Sequence, residues 1–259
     1  MSMSAPAGPT GPRHERREPA PGAVHVPGWL DLRQQRILVE RCRRWAAEGP
    51  GIRAAALPNG ARMSVETVCL GWHWVPYRYS RTRDDQDGSP VAAFPEWLGD
   101  LGRAAVADAY GDPARGSAYR PDIALINHYR DGARLGMHRD SDERAPDPVV
   151  SFSLGAPCLF RLGNPHSRGR PWVDLELRSG DLLVFGDESR LAYHGVPKLL
   201  PHTADDVLDV GLGAGRLNIT LRVSGLDEAG SCRLRRNPPA PEVFRTADRS
   251  SAPRPRRIR

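Results

Sequence analysis

The chain has 259 residues, a formal charge of +6 and 39% apolar residues. An average globular domain is about 45–50% apolar, and no stretch here is long enough to cross a membrane as a helix, so no membrane-spanning helix is expected. The four cysteines, Cys42, Cys69, Cys158 and Cys232, lie far apart with no CxxC pair, which argues against a disulfide framework or a structural zinc site and fits a reducing compartment.

The basic charge is almost wholly arginine, with Lys198 the only lysine. A polyanion is therefore a fitting partner. The abundance of Ala, Gly and Pro beside it reads as GC-rich codon usage, so most of these arginines read as solvated surface. Residues 1–24 lack the apolar run of a secretory signal, and the expected location is cytoplasmic.

In chain order, residues 1–24 are rich in Pro, Gly, Ala and charge without periodic apolar positions, and are expected to be an unordered tail. Residues 25–118 form a segment of helices and one aromatic stretch. Asp31 is placed to cap a helix over residues 32–47, with Ile37, Leu38, Cys42, Trp45 and Ala46 on one face. Residues 63–70 read as a strand. Gly71 then introduces Trp72-His73-Trp74-Val75-Pro76-Tyr77-Arg78-Tyr79-Ser80-Arg81, where aromatics interleave with basic residues. This composition suits a strand packed on a core. It also suits a platform for stacked bases, with Arg78 and Arg81 set for phosphates. A second amphipathic helix is expected over residues 95–110, with Trp97, Leu98, Leu101, Ala105 and Val106 inward and Gly111 as its stop.

From residue 121 the texture changes to short strands, expected at 123–129, 134–140, 149–154, 158–162, 172–177, 181–185 and 216–223, with a turn at Asp131-Gly132. Many short strands without helices between them point to a sandwich or jelly-roll barrel over residues 119–225. Residues 226–259 return to Arg and Pro, a basic tail expected to be unfolded and attracted to polyanions.

Side chains at i and i+2 on a strand share a side. His138 and Asp140 are therefore expected to reach one point, with Arg139 outside, and His194 to arrive from a distant strand. Two imidazoles and one carboxylate on one face of a metal leave the other face open, the pattern of non-haem iron(II) oxygenases. A His-x-Asp pair alone is weak evidence; the later His194 in an all-β region, followed by two arginines on one strand, sharpens it. Arg216, Asn218, Thr220 and Arg222 alternate with Leu217, Ile219 and Leu221, so the polar four share a face. If that face lines a cavity, its arginines need an anion, and a dicarboxylate held by bidentate pairing supplies one. The alternative is an amphipathic strand with its polar face in water.

The ordered set Asn127-x-Tyr129, His138-x-Asp140-x-Asp142-Glu143, Val150-Ser151-x-Ser153-Leu154-Gly155, Ser179-Gly180-Asp181, Glu188-Ser189-Arg190-x-x-x-His194-Gly195 and Arg216-x-Asn218-x-Thr220-x-Arg222 resembles the AlkB family. These are iron(II)- and 2-oxoglutarate-dependent dioxygenases that repair alkylated bases. The resemblance covers about residues 63–223. It implies an all-β core, a double-stranded β-helix or jelly roll, with flanking N-terminal helices, α+β overall. It implies iron(II) on His138, Asp140 and His194, 2-oxoglutarate on Asn127, Tyr129, Arg216, Asn218 and Arg222, and O2 as second co-substrate. Residues 72–79 resemble the nucleotide-recognition lid of bacterial members, in a slightly shorter form. Trp72 would then stack or pack against a flipped base, with Tyr77, Arg78 and Tyr79 near phosphates. Asp142 would sit at the base and favour cationic lesions such as 1-methyladenine and 3-methylcytosine, and Arg168 would line the pocket. The implied substrate is alkylated DNA, and RNA as well, acted on by a monomer with no membrane partner. The rival readings are a 2-oxoglutarate oxygenase acting on RNA, protein or a small molecule, a non-catalytic nucleic-acid-binding module, and a metal-dependent hydrolase.

Overall fold

The computed structural model describes residues 15–48, 51–201 and 215–226. Strands β1 (Arg17–Ala20) and β2 (Ala23–Val26) lead into helix α1 (Leu32–Ala47). Then come β3 (Arg53–Ala56), β4 (Arg62–Leu70), the short hairpin β5 (His73–Val75) and β6 (Arg78–Ser80), and helices α2 (Glu96–Tyr110) and α3 (Pro113–Ala118). The remainder is β7 (Ile123–Tyr129), β8 (Leu135–His138), β9 (Val149–Gly155), β10 (Cys158–Leu162), β11 (Val173–Leu177), β12 (Leu182–Phe185), β13 (His194–Leu199) and β14 (Arg216–Arg222).

The large sheet has strand order β1-β2-β12-β9-β14-β7-β4-β3, and a smaller sheet has order β11-β10-β13-β8. Period-two alternation sorts the side chains between two cores. Along β12, Leu182 and Val184 join Ile126, Phe152 and Ile219 under Leu38 of α1 and Leu98, Leu101 and Val106 of α2. Leu183 and Phe185 point the other way, joining Val65 and Tyr129 against Phe160, Leu162 and Val196 of the small sheet. The result is the expected jelly roll, with helices covering one outer face.

The helix ends follow from local chemistry. Asp31 accepts from the Gln34 backbone N–H at 2.8 Å while Gln34 Oε1 accepts from the Asp31 N–H at 2.9 Å, a reciprocal cap at the start of α1. α2 stops at Gly111, whose φ of 65° suits a residue without a Cβ. Trp45 of α1 stacks on Trp97 of α2 with ring centroids 5.9 Å apart.

Several expectations need correction. The unordered tail does not extend through residue 24: β1 and β2 form a hairpin, and β2 completes the large sheet beside β12. Ala23, Val24 and Val26 are buried, but this apolar run is too short to register against the Pro-rich composition around it. Residues 1–14 and 227–259, including Cys232, lie outside the described residues. The division at residue 118 is not a boundary between sheets, since β4 hydrogen-bonds directly to β7. β3 and α3 were not anticipated, although Asp112 followed by Pro113 is a helix start: its carboxylate accepts from the Ala114 and Arg115 N–H groups. The strand expected at 134–140 is shorter, ending at His138.

Candidate active site

His138 ends β8 and His194 begins β13, and the two are direct cross-strand partners. Strand register therefore brings their rings to 4.4 Å between centroids. Asp140 lies beyond the strand end, so the alternation expected to aim it does not act there. Arg190 holds it instead. Its Nη1 donates to the Asp140 backbone carbonyl at 2.7 Å, its Nη2 to Glu143 Oε2 at 3.1 Å and its Nε to the Asp147 carbonyl at 2.6 Å, clamping the turn.

Asp140 Oδ1 lies 3.6 Å from His138 Nε2, and Oδ2 lies 3.6 Å from His194 Nε2. The candidate ligand atoms of the three residues all fall within 4.8 Å of one another. Each ring has its Nδ1 3.0 Å from a backbone carbonyl, Gly136 for His138 and Ala192 for His194. A carbonyl only accepts, so in the neutral ring Nδ1 carries the proton and Nε2 offers its lone pair to the cluster. Asp140 Oδ2 is buried without a hydrogen-bond donor, although the charge of Arg222 Nη2 lies 2.9 Å away. Burial pushes the Asp140 carboxyl up, but Arg222, His194 and His138 outweigh it and hold the group well below the usual carboxylate range. Burial and then His138 push His194 down to about 4, so it is a neutral ligand at neutral pH. Two imidazole nitrogens and one carboxylate oxygen, convergent and under-satisfied, fit iron(II).

The polar face of β14 is buried. Arg216, Asn218, Thr220 and Arg222 are all in the interior, which sets aside the solvated-face alternative. Arg216 is 1% exposed; its Nη2 donates to Ser153 Oγ at 2.8 Å, while its Nε and Nη1 have no acceptor. A buried guanidinium with unmet donors is costly and calls for an anion. Tyr129 stands opposite Arg216 and Asn127 opposite Asn218 in the β7–β14 register, so the expected 2-oxoglutarate residues occupy adjacent ranks of two paired strands. Arg222 marks the end of this row nearest the metal ligands. Its Nη2 faces Asp140 and its Nη1 donates to Glu143 Oε1 at 2.9 Å, while its Nε is buried without an acceptor.

The β5–β6 hairpin closes over this end. His73 and Arg53 anchor it through Asp85, at 2.5 and 3.2 Å. Trp74 Nε1 donates to Asp142 Oδ2 at 2.8 Å. Burial raises the Asp142 pKa, opposed in part by that hydrogen bond.

Two expected lid contacts are corrected. Trp72 is a core residue at 1% exposure: its Nε1 donates to Asp122 Oδ2 at 2.9 Å, and Arg81 covers its ring at 3.7 Å from the centroid. Tyr79 is equally buried, so it lies away from any phosphate; its hydroxyl donates to Glu143 Oε1 at 2.5 Å. Tyr77 does sit at the exposed tip, with φ 69°, and Arg78 beside it pairs with Asp84 at 2.6 Å. Arg168 lies 5.8 Å from the Tyr193 ring centroid, which Arg139 approaches at 5.3 Å. The residues that sequence reasoning passed over are Trp74, Glu143 and Arg190. Glu143 and Arg190 stood inside the quoted motifs. Nothing in Trp-His-Trp says which indole faces the site, because β5 begins only at His73.

Residues 22–222 match the 2OG-Fe(II) oxygenase superfamily. The chain is 40% identical over 210 residues to the alpha-ketoglutarate-dependent dioxygenase AlkB homolog of Caulobacter vibrioides, covering 78% of this chain and 87% of that protein. It is 33% identical over 221 residues to the DNA N(6)-methyladenine demethylase ALKBH1C of Arabidopsis thaliana, covering 78% of this chain but only 48% of that protein, about half its length. The solved structure of OsALKBH1 superposes with a TM-score of 0.69 at 31% identity, covering 80% of this chain and 99% of that one.

Proposed function

Because this chain belongs to the AlkB family of the 2OG-Fe(II) oxygenase superfamily, we propose that it oxidatively dealkylates N-alkylated bases, of the 1-methyladenine and 3-methylcytosine type, in DNA and secondarily in RNA. It is an iron(II)- and 2-oxoglutarate-dependent dioxygenase that uses O2. The observation that carries the substrate reading is the half-buried carboxylate of Asp142, two residues beyond Asp140 and held by Trp74.

His138, Asp140 and His194 are the residues that would hold the iron(II). Arg216, through its unmet Nε and Nη1, takes one carboxylate of 2-oxoglutarate with Tyr129 beside it. Arg222, Asn127 and Asn218 line the rest of that site. When bound, iron(II) supplies, with 2-oxoglutarate and O2, the oxidising power that hydroxylates the N-alkyl carbon, giving succinate, CO2, formaldehyde and the restored base. The protein contributes position and exclusion of water. The target base has to leave the stack, which costs a few kcal/mol, least for a damaged base that no longer pairs. Asp142 then offers a carboxylate to a cationic base. The exposed Tyr77 and neighbouring Arg78 suit the strand backbone, and Arg168 the pocket rim. We place the enzyme in the reducing cytoplasm, with Cys42, Cys69 and Cys158 buried and unpaired. No helix among the described residues is long and apolar enough to cross a membrane.

The test is product stoichiometry with a single-stranded oligonucleotide carrying 3-methylcytosine. Equal yields of succinate and formaldehyde, lost in Asp142→Ala while iron binding is retained, support the reading. Succinate without formaldehyde would leave the oxygenase standing and remove alkylated bases as its substrate.

A further inference from the structure

Glu143 is not one of the three clustered metal-ligating residues, yet its side chain is fully buried. Its Oε2 is taken by Arg190 at 3.1 Å, and its Oε1 is shared between Arg222 Nη1 at 2.9 Å and the Tyr79 hydroxyl at 2.5 Å. Arg222 thus has one Nη on Glu143 and the other facing Asp140, which leaves Nε as its unmet donor. A guanidinium is a rigid planar fork, so fixing both Nη groups fixes where Nε points. Tyr79 sits on β6, and its phenol also lies 3.2 Å from Arg222 Nη1.

We propose that Tyr79 and Glu143 are positioning residues for the 2-oxoglutarate site, linking the seating of the β5–β6 hairpin to the orientation of Arg222. The inference rests on the co-substrate reading given above. With the hairpin seated, the phenol supplies one donor to Oε1 and Arg222 lies with its Nε free. With the hairpin lifted, Oε1 loses that donor, Glu143 draws harder on Arg222, and the guanidinium plane turns from the co-substrate. Linkage is reciprocal, so bound 2-oxoglutarate holds the hairpin down to the same extent.

The test is calorimetric titration of 2-oxoglutarate into the full-length protein loaded with Mn(II), which binds without turning over. Tyr79→Phe, which removes one oxygen, is expected to weaken 2-oxoglutarate binding roughly 10- to 150-fold, the equivalent of one hydrogen bond to a charged group. Mn(II) affinity is expected to stay at the wild-type value. Glu143→Gln is expected to act in the same direction. Tyr110→Phe, which removes a phenol bound to the Gly22 carbonyl and making no contact with Glu143 or Arg222, is expected to have no effect on this affinity. Amide exchange over residues 73–80 is expected to slow when 2-oxoglutarate binds the wild type, and not in Tyr79→Phe. If Tyr79→Phe binds 2-oxoglutarate as tightly as the wild type and loses only thermal stability, Tyr79 is an ordinary core residue and the inference is overturned, whether or not Glu143→Gln folds. If the Mn(II)-loaded wild type itself binds no 2-oxoglutarate, the co-substrate reading falls and this inference with it.

Discussion

Trp74 and Asp142, separated by 68 positions in the sequence, meet through one hydrogen bond, indole Nε1 to carboxylate Oδ2 at 2.8 Å. The bond joins the hairpin to the turn that carries Asp140, and it walls the site on the side where the base is proposed to enter. Trp74→Phe keeps a ring there but deletes the donor. It is expected to lower kcat/KM for an alkylated oligonucleotide about 10-fold, the scale of one partly buried hydrogen bond to a charged group, with the KM for 2-oxoglutarate unchanged. Steady-state kinetics varying each substrate in turn reads both numbers. An equal loss against both substrates would make Trp74 a general support of the fold.

Arg216 is a buried cation with two donors unmet. Burying a charge with its donors unmet costs stability, which an apolar chain of similar length does not incur. Arg216→Met is therefore expected to raise the melting temperature without 2-oxoglutarate and to abolish the further rise that 2-oxoglutarate gives the wild type. Thermal scans with and without the co-substrate test this. A melting temperature that falls in both conditions would show that Arg216 is structural.

Gly71 is the entry to the hairpin. Its φ is 78°, and a Cβ there would lie 2.0 Å from the Asp122 carbonyl oxygen. Gly71→Ala is expected to destabilise the protein by about 1–3 kcal/mol from backbone strain alone, with the clash adding to it. Chemical denaturation measures the loss, and a near-neutral result would mean the turn relaxes freely.

The hairpin anchor is expected to be pH-sensitive. Burial lowers the pKa of His73 from its ordinary 6.5, with Asp85 opposing only in part. The unfolded chain then binds more protons than the folded one in the interval below 6.5, so stability is full above that value and falls as pH drops through the folded pKa. His194 contributes in the same direction. The discriminating quantity is the difference between wild type and His73→Gln in melting temperature from pH 7.5 to 5.5. The variant is expected to show the shallower fall, and parallel curves would remove His73 from the account.

The elements legible in the sequence are those set by local chemistry. α1 has its capping residue and apolar stripe, β7 and β10 are bounded by turns, and β14 alternates cleanly. The candidate metal trio was legible from its order, a His-x-Asp pair, a later His194 in an all-β region and then two arginines on one strand. What escaped depends on contacts distant in sequence. β2 is a strand because β12 offers it an edge. Asp140 is aimed by Arg190 rather than by strand alternation. Tyr79 and Trp72 look like exposed aromatics in a basic segment until Glu143 and Asp122 are seen to claim their polar groups. The reading as a passive binding module fails for a related reason: family membership, together with a convergent donor set and a buried arginine with two unmet donors, calls for cofactor and co-substrate.

Repair of an alkylated base is read from the mass of a single-stranded oligonucleotide carrying one 1-methyladenine. The protein is loaded with iron(II) without air and then given 2-oxoglutarate and O2. Loss of one CH2 unit, a methyl replaced by hydrogen, is expected, dependent on 2-oxoglutarate and absent in His138→Ala. An unchanged oligonucleotide mass while succinate accumulates would contradict base repair.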